Sequence, residues 1–332
     1  MFYDAEIKGY TMEKEKKTLK DFKNYYDQRY NTGYNSQWPL GQKKRIFDLI
    51  RSLNLSKKGS VLDFGCGRGE FTEVIKLALP DWDVFGADIS AVAVADAEKS
   101  HPECSFFVLS EISAVKQKFD FIFSNHVLEH VDNLDQTWAE MNHLFKDNAC
   151  FLLVLPCGNK GSFEYKLSML HKNGIKKDKG NVFFHEDITH LRRLTSDQAN
   201  TIVLKNGFKP VFSCFANHFY GAVYWLTIGK PSFMFFCFDP RDAKDFISAI
   251  KLTFLYFMFM FIKIVKFPVN SIDYKKSTMK NFKYWICFVL LVLFYPISKL
   301  ITIYFDYKIK QEWQNKKDQP NGSEMYLYYS RG

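Results

Sequence analysis

Val61-Leu62-Asp63-Phe64-Gly65-Cys66-Gly67-Arg68-Gly69-Glu70-Phe71 decides how the rest of the chain is read. A short apolar run passes into three alternate glycines, and a helix can begin where they end. Glycines at such a turn let backbone N–H groups approach a ligand, and the helix N-terminus adds positive potential. The spacing then matters. The dinucleotide pattern is G-x-G-x-x-G, with a third glycine that permits close helix–strand packing. Here Gly69 comes one residue early, and Glu70 stands where that pattern wants Gly or Ala. An acid at the helix start also opposes a pyrophosphate.

Further segments follow in order. Val84-Phe85-Gly86-Ala87-Asp88-Ile89-Ser90 is a second apolar run ending in an acid. An ionised carboxylate is acceptor-only and can take two O–H donors. Phe119-Asp120-Phe121-Ile122-Phe123-Ser124-Asn125-His126-Val127-Leu128-Glu129-His130-Val131 is a third apolar run with its following loop. Residues 149–155, closed by Pro156, form a run suited to a buried strand.

These segments, in this order over residues 61–156, resemble the class I S-adenosylmethionine (SAM) dependent methyltransferases. The Leu128-Glu129-His130-Val131 ending resembles their small-molecule group, which includes the O-methyltransferases of ubiquinone biosynthesis. The resemblance implies a Rossmann-like α/β fold: a seven-stranded sheet, its last strand antiparallel, with helices on both faces. It implies SAM as cofactor, with the turn Gly65, Cys66, Gly67 and Gly69 under the methionyl part and Asp63 near its ammonium group. Asp88 would accept the ribose hydroxyls, and Ile89 and Asn125, the latter at the end of the fourth strand, would also contact the cofactor. An acid near the adenine falls at Ser110 or Glu111, with Glu111 taken as the contact.

Around this core the sequence divides into a helical lead-in (1–58), a cofactor-binding core (59–216), a hydrophobic insertion (217–323) and a final core strand (324–332). The lead-in carries Tyr25, Tyr26, Tyr30 and Tyr34, which read equally as a lid over the cofactor or as anchors of a surface helix. Ile46, Leu49, Ile50 and Leu53 have helical spacing, as do Phe71, Val74, Ile75 and Ala78. Leu134, Trp138, Met141 and Phe145 predict the buried face of another helix. Residues 157–194 are lysine-rich, suited to substrate binding or to a solvated loop. Thr195-x-x-Gln198 is a capping-box pattern, and Gly207 suits the helix end.

The insertion holds uncharged runs at 252–262 and 284–298, and a shorter one at 233–238. A spanning helix needs about 20 apolar residues. The first run is too short, and the second reaches that length only across Lys299 and Pro296. A spanning hairpin would also translocate a loop with Lys266, Lys275, Lys276, Lys280 and Lys283 against Asp273, contrary to the positive-inside rule. An interfacial or shallow re-entrant hairpin on an anionic membrane surface is therefore expected. Spanning helices and a dimer interface are the other readings.

The net charge of +9 also calls for a negatively charged partner. The seven cysteines show no C-x-x-C, no metal-ligand spacing stands out, and no signal peptide opens the chain, so a cytoplasmic protein without a resident metal is expected. His126, His130 and His190 are candidate bases, with His185 a further one. No Asn-Pro-Pro-Tyr type tetrapeptide follows the fourth strand, which weighs against planar nitrogen acceptors. The expected function is methylation, on oxygen, of a lipid, quinone precursor or lipid-linked saccharide at the membrane. An RNA or soluble small-molecule methyltransferase and a non-catalytic binding protein are alternatives, with nucleic acid ranked low.

Overall fold

The computed structural model describes residues 19–31, 38–109, 115–176, 184, 190–228, 231–274 and 282–332. Ser110, Glu111, Tyr34, His185, Lys275, Lys276 and Lys280 lie outside these residues. Seven strands form one sheet: β1 (Ser60–Phe64), β2 (Asp83–Asp88), β3 (Ser105–Val108), β4 (Phe119–Asn125), β5 (Phe145–Pro156), β6 (Phe208–Ala216) and β7 (Glu324–Arg331). Their order is β3-β2-β1-β4-β5-β7-β6. The first five run parallel, and β7 is antiparallel. β1 is buried along its whole length, as a strand covered on both faces must be. The order reverses between β1 and β4, and sheets of this type bind ligands at the carboxyl ends of the strands beside that reversal.

The helices are α1 (Leu19–Asn31), α2 (Leu40–Ser52), α3 (Glu70–Ala78), α4 (Ala91–Ser100), α5 (Leu134–Asn142), α6 (Phe163–Ser168), α7 (Ser196–Lys205), α8 (Tyr220–Ile228), α9 (Pro231–Cys237), α10 (Phe246–Tyr274) and α11 (Phe282–Lys316). The last four lie between β6 and β7, where the helical insertion was expected. Phe71, Val74, Ile75 and Ala78 of α3 are buried, as their spacing requires. Ser90 caps α4 by accepting a hydrogen bond from the Ala93 N–H, 3.2 Å away. Thr195 and Gln198 form the capping box at the start of α7. Gly207 beyond its end has φ +84°, the left-handed conformation that ends helices.

One helix is shorter than its periodicity suggests. α5 ends at Asn142, and Phe145 opens β5 instead. The Phe119 N–H donates to the Leu144 carbonyl at 2.7 Å, which draws the chain into the sheet. The Phe145 ring then packs on Phe151 and Phe208, with centroids 5.6 and 4.8 Å away.

Two compact units result. The first comprises Met1–Pro156, Thr189–Ser213 and Met325–Gly332, and the second Cys157–Ile188 and Cys214–Glu324. Within the second, the lysine-rich connection packs on the insertion. His171 pairs with Ala243 as an antiparallel bridge, and its imidazole lies 3.1 Å from Asp242 and 3.0 Å from the Cys237 carbonyl. α10 is longer than the uncharged run inside it. Its segment Phe246–Val269 has the length and composition to cross a membrane. Lys266, placed in a connecting loop by the sequence reading, lies inside α10 and is buried, its ammonium 4.2 Å from the centre of the Tyr224 ring.

Removing the α7 cap tests the local account. Thr195→Ala should lower stability by about 1 kcal/mol, read as a lower urea midpoint. An unchanged midpoint would show that the cap is idle.

Candidate functional site

The glycine turn is a cradle that any side chain would fill. Gly65, Gly67 and Gly69 have φ of +82°, +54° and +81°, all left-handed, where an L side chain is strained. A Cβ on Gly65 would lie 2.2 Å from Val127 Cγ2, and one on Gly67 would lie 2.8 Å from the Tyr30 hydroxyl. The turn is thus pressed between the loop after β4 and α1. The Gly65 and Cys66 N–H groups both donate to the Ala87 carbonyl, at 2.7 and 2.9 Å. Cys66 is buried, and Ile89 is half-buried between Asp88 and Ser90.

Two buried acids face this turn. Asp88 accepts hydrogen bonds from the Gly67 N–H and the Ser90 N–H, each at 2.9 Å. Asp63 accepts one from the Thr72 hydroxyl at 2.7 Å. Burial pushes Asp88 up to about 6, against the lowering effect of the Ser90 and Gly67 hydrogen bonds. Burial likewise pushes Asp63 up to about 7; the Thr72 bond lowers it, and the charge of Asp88 raises it further. Asn125 ends β4, is buried, and its amide oxygen has no hydrogen-bond partner among the described residues.

These residues fit SAM. An ammonium or sulfonium cation would relieve two buried carboxylates that the protein satisfies only in part. The cofactor hydroxyls and amines can donate to Asp88 and to the orphaned oxygen of Asn125. The structure brings Asp63, Gly65, Cys66, Gly67, Gly69, Asp88, Ile89 and Asn125 to this one end of the sheet. Glu111 lies outside the described residues.

The loop after β4 carries the histidines. His126 has φ +55°, uncommon for a residue other than glycine, and is held there by its N–H bond to the Val154 carbonyl at 3.0 Å. Its Nδ1 lies 3.0 Å from Glu129 Oε1, and its ring packs on Trp38, centroids 5.7 Å apart. The His130 ring meets Tyr26 at 6.0 Å and His190 at 4.4 Å, edge to face in both cases. The three candidate bases therefore gather in one cluster, and His185 lies outside the described residues.

Sequence reading missed several members of this site. Asp27 of α1 lies 2.5 Å from the Ser90 hydroxyl, and Thr72 serves Asp63 from one turn into α3. Glu129, in sequence only one residue of a motif, is 2% exposed and sits against His126. A charged residue inside an apolar loop was the available signal.

A family model described as a methyltransferase domain matches residues 40–211. The malonyl-(acyl-carrier protein) O-methyltransferase of Legionella pneumophila is 28% identical over 117 residues, 33% of this chain and 40% of that protein. The ribosomal RNA small subunit methyltransferase C of Mannheimia succiniciproducens is 36% identical over 110 residues, 32% of each protein. Among solved structures, magnesium protoporphyrin IX methyltransferase from Synechocystis with bound SAH is 21% identical, with a TM-score of 0.44, over 61% of this chain and 95% of that one. The chain spans between 32% and 54% of the length of the first curated relatives it matches. A relative named for ribosomal RNA leaves the low rank given to nucleic acid without support.

The raised acids have a pH consequence. A carboxylate lifted from 3.8 to about 7 is protonated in both folded and unfolded chains at low pH. Its burial cost appears as pH rises through that window and is complete above it. A cation that restores the ionised form binds with proton release, so affinity for SAM should increase with pH. Calorimetry should show weaker binding at about pH 6 than at about pH 8, and equal affinities would refute the coupling. Asp88→Ala should weaken binding by roughly tenfold or more; unchanged binding would remove Asp88 from the site.

Proposed function

Because the chain belongs to the methyltransferase-domain family, we propose that it transfers a methyl group from SAM to an oxygen of a lipid, quinone precursor or lipid-linked saccharide at an anionic membrane surface. SAM supplies an electrophilic methyl group carried on a sulfonium. Asp63, Asp88, Asn125 and the glycine turn would hold it. The acceptor needs in-line alignment, desolvation and loss of its proton. His126 is the best-placed base: the Glu129 carboxylate lies 3.0 Å from its Nδ1, which leaves proton uptake to Nε2.

The observation that carries the membrane half is the apolar outer face of α10. Phe246, Ile250, Phe254, Phe257, Phe261 and Ile264 recur at helical spacing along α10 and are all more than half exposed. Ser248 and Lys266 on the same helix are buried. The inward face packs within the second unit, where Phe259 stacks on Phe163 and meets Phe238, centroids 5.7 and 4.9 Å away. On α11, Leu293, Ile297, Leu300 and Tyr304 form a similar exposed stripe. A helix with one face held by protein and the other apolar and open suits the plane of the interface better than a crossing. Exposed Lys244, Lys251 and Lys310 supply the charge that anionic headgroups attract.

A nucleic-acid acceptor is the second reading, favoured by the net charge of +9 and by the relative named for ribosomal RNA. Labelled SAM offered with a membrane lipid extract and with total RNA separates the two. Label in the lipid fraction is expected; label only in RNA would overturn the lipid reading. Separately, the protein should float with vesicles containing anionic lipid, and Phe254→Gln with Phe257→Gln and Phe261→Gln should abolish flotation. These side chains are exposed, so their loss should leave the fold intact. Flotation unchanged in the triple variant, or its absence together with a stable dimer, would overturn membrane docking.

A further inference from the structure

We propose that Glu129, His130 and His190 form a binding site for a divalent cation of the zinc type. One ligand atom from each lies within 4.8 Å of the others. Two imidazoles and one carboxylate are the donor set of catalytic zinc sites, which keep a position open for water or substrate. Ligand bonds of about 2.0–2.2 Å hold such atoms no more than roughly 4.4 Å apart, so a small side-chain rotation closes the site.

A second observation points to the cation. Glu129 is 2% exposed, and neither carboxylate oxygen accepts a hydrogen bond from any described residue. The His126 imidazole lies 3.0 Å from its Oε1, and Arg192 acts on the carboxylate through its charge. A carboxylate buried with so little compensation is costly, and a metal ion is one of the few things that offsets the cost. The His126 contact then matches the outer groups that orient metal-bound carboxylates.

The backbone prepares the ligands. The Leu191 N–H donates to the Glu129 carbonyl at 2.8 Å, tying the residue after His190 to its distant partner. Arg192 donates to the carbonyls of Leu128, Val131 and Asp132, on both sides of Glu129 and His130. The His130 N–H closes a turn onto the Val127 carbonyl at 2.9 Å. Val127 is the residue pressed on Gly65, so the site adjoins the cofactor cradle. If the methyl-transfer reading holds, a hydroxyl bound to the cation becomes more acidic, and His126 remains the group that takes its proton. Cation binding itself does not rest on that reading.

The test uses the full chain after dialysis against a chelator. Calorimetry with zinc chloride alone, with the metal content of the dialysed complex measured, should show one bound equivalent. Glu129→Gln and His190→Ala should each weaken binding by about tenfold or more, while SAM binding is kept. No zinc binding, or equal binding by the variants, overturns the site. If a variant fails to fold, the wild-type protein loaded with Co²⁺ decides. Visible bands of imidazole-ligated cobalt support the site, and a spectrum of hydrated cobalt refutes it. A protein that binds zinc but not SAM would instead sink the cofactor reading and leave this one standing.

Discussion

The carboxylate of Asp88 joins parts of the fold that would otherwise be independent. It ends β2, accepts the Gly67 N–H from the glycine turn, and accepts the Ser90 N–H at the start of α4. Ser90 in turn caps α4 and meets Asp27 of α1. One buried acid therefore fixes a turn, a strand end and two helices. Desolvation makes this arrangement costly, and the directed N–H groups offset only part of the cost, which is why the group stays near 6. The same residual cost makes the place receptive to a cation and to hydroxyl donors. Stability is given up where binding is needed.

The loop after β4 is built on a different principle. Backbone ties to other segments shape it. Val154 fixes His126 in a left-handed conformation, and Leu191 and Arg192 bind the carbonyls around Glu129 and His130. Strained backbone of this kind persists only where neighbouring structure over-determines it. The outcome is a stiff platform beside a glycine turn, with a carboxylate and three imidazoles whose spacing depends on residues 190–193. Positioning of this precision is what proton transfer and ion binding both demand.

In the second unit α10 departs from the ordinary rule of burial on one face, although Leu252, Phe259 and Val269 are buried. Its small and charged residues Ser248 and Lys266 face inward while Phe254, Phe257 and Phe261 face out. At about 25 cal/mol per Å² of apolar surface, a row of exposed phenylalanines is a large unpaid hydration cost in water. A partner phase that covers the row removes it. The inward face explains why the helix is not simply a misplaced core element: Phe259 has its own aromatic neighbours inside the unit.

The sequence by itself determined the sheet, the cradle and the order of its parts. Asp63, Gly65, Gly67, Gly69 and Asp88 are legible because local geometry dictates them: left-handed turns demand glycine, and strand ends carry acids at a regular register. The helix periods and the cap of α7 are local in the same way, and Phe145 escaped them because a sheet bond from Phe119 outweighed its helical spacing. Tertiary structure alone decided which histidines meet. His130 and His190 are distant in sequence, and ties from Leu191 and Arg192 hold the segments that bring their rings to 4.4 Å. It also decided which face of α10 is open. Periodicity shows that a helix has two faces, but the direction each one points is set by what packs against it.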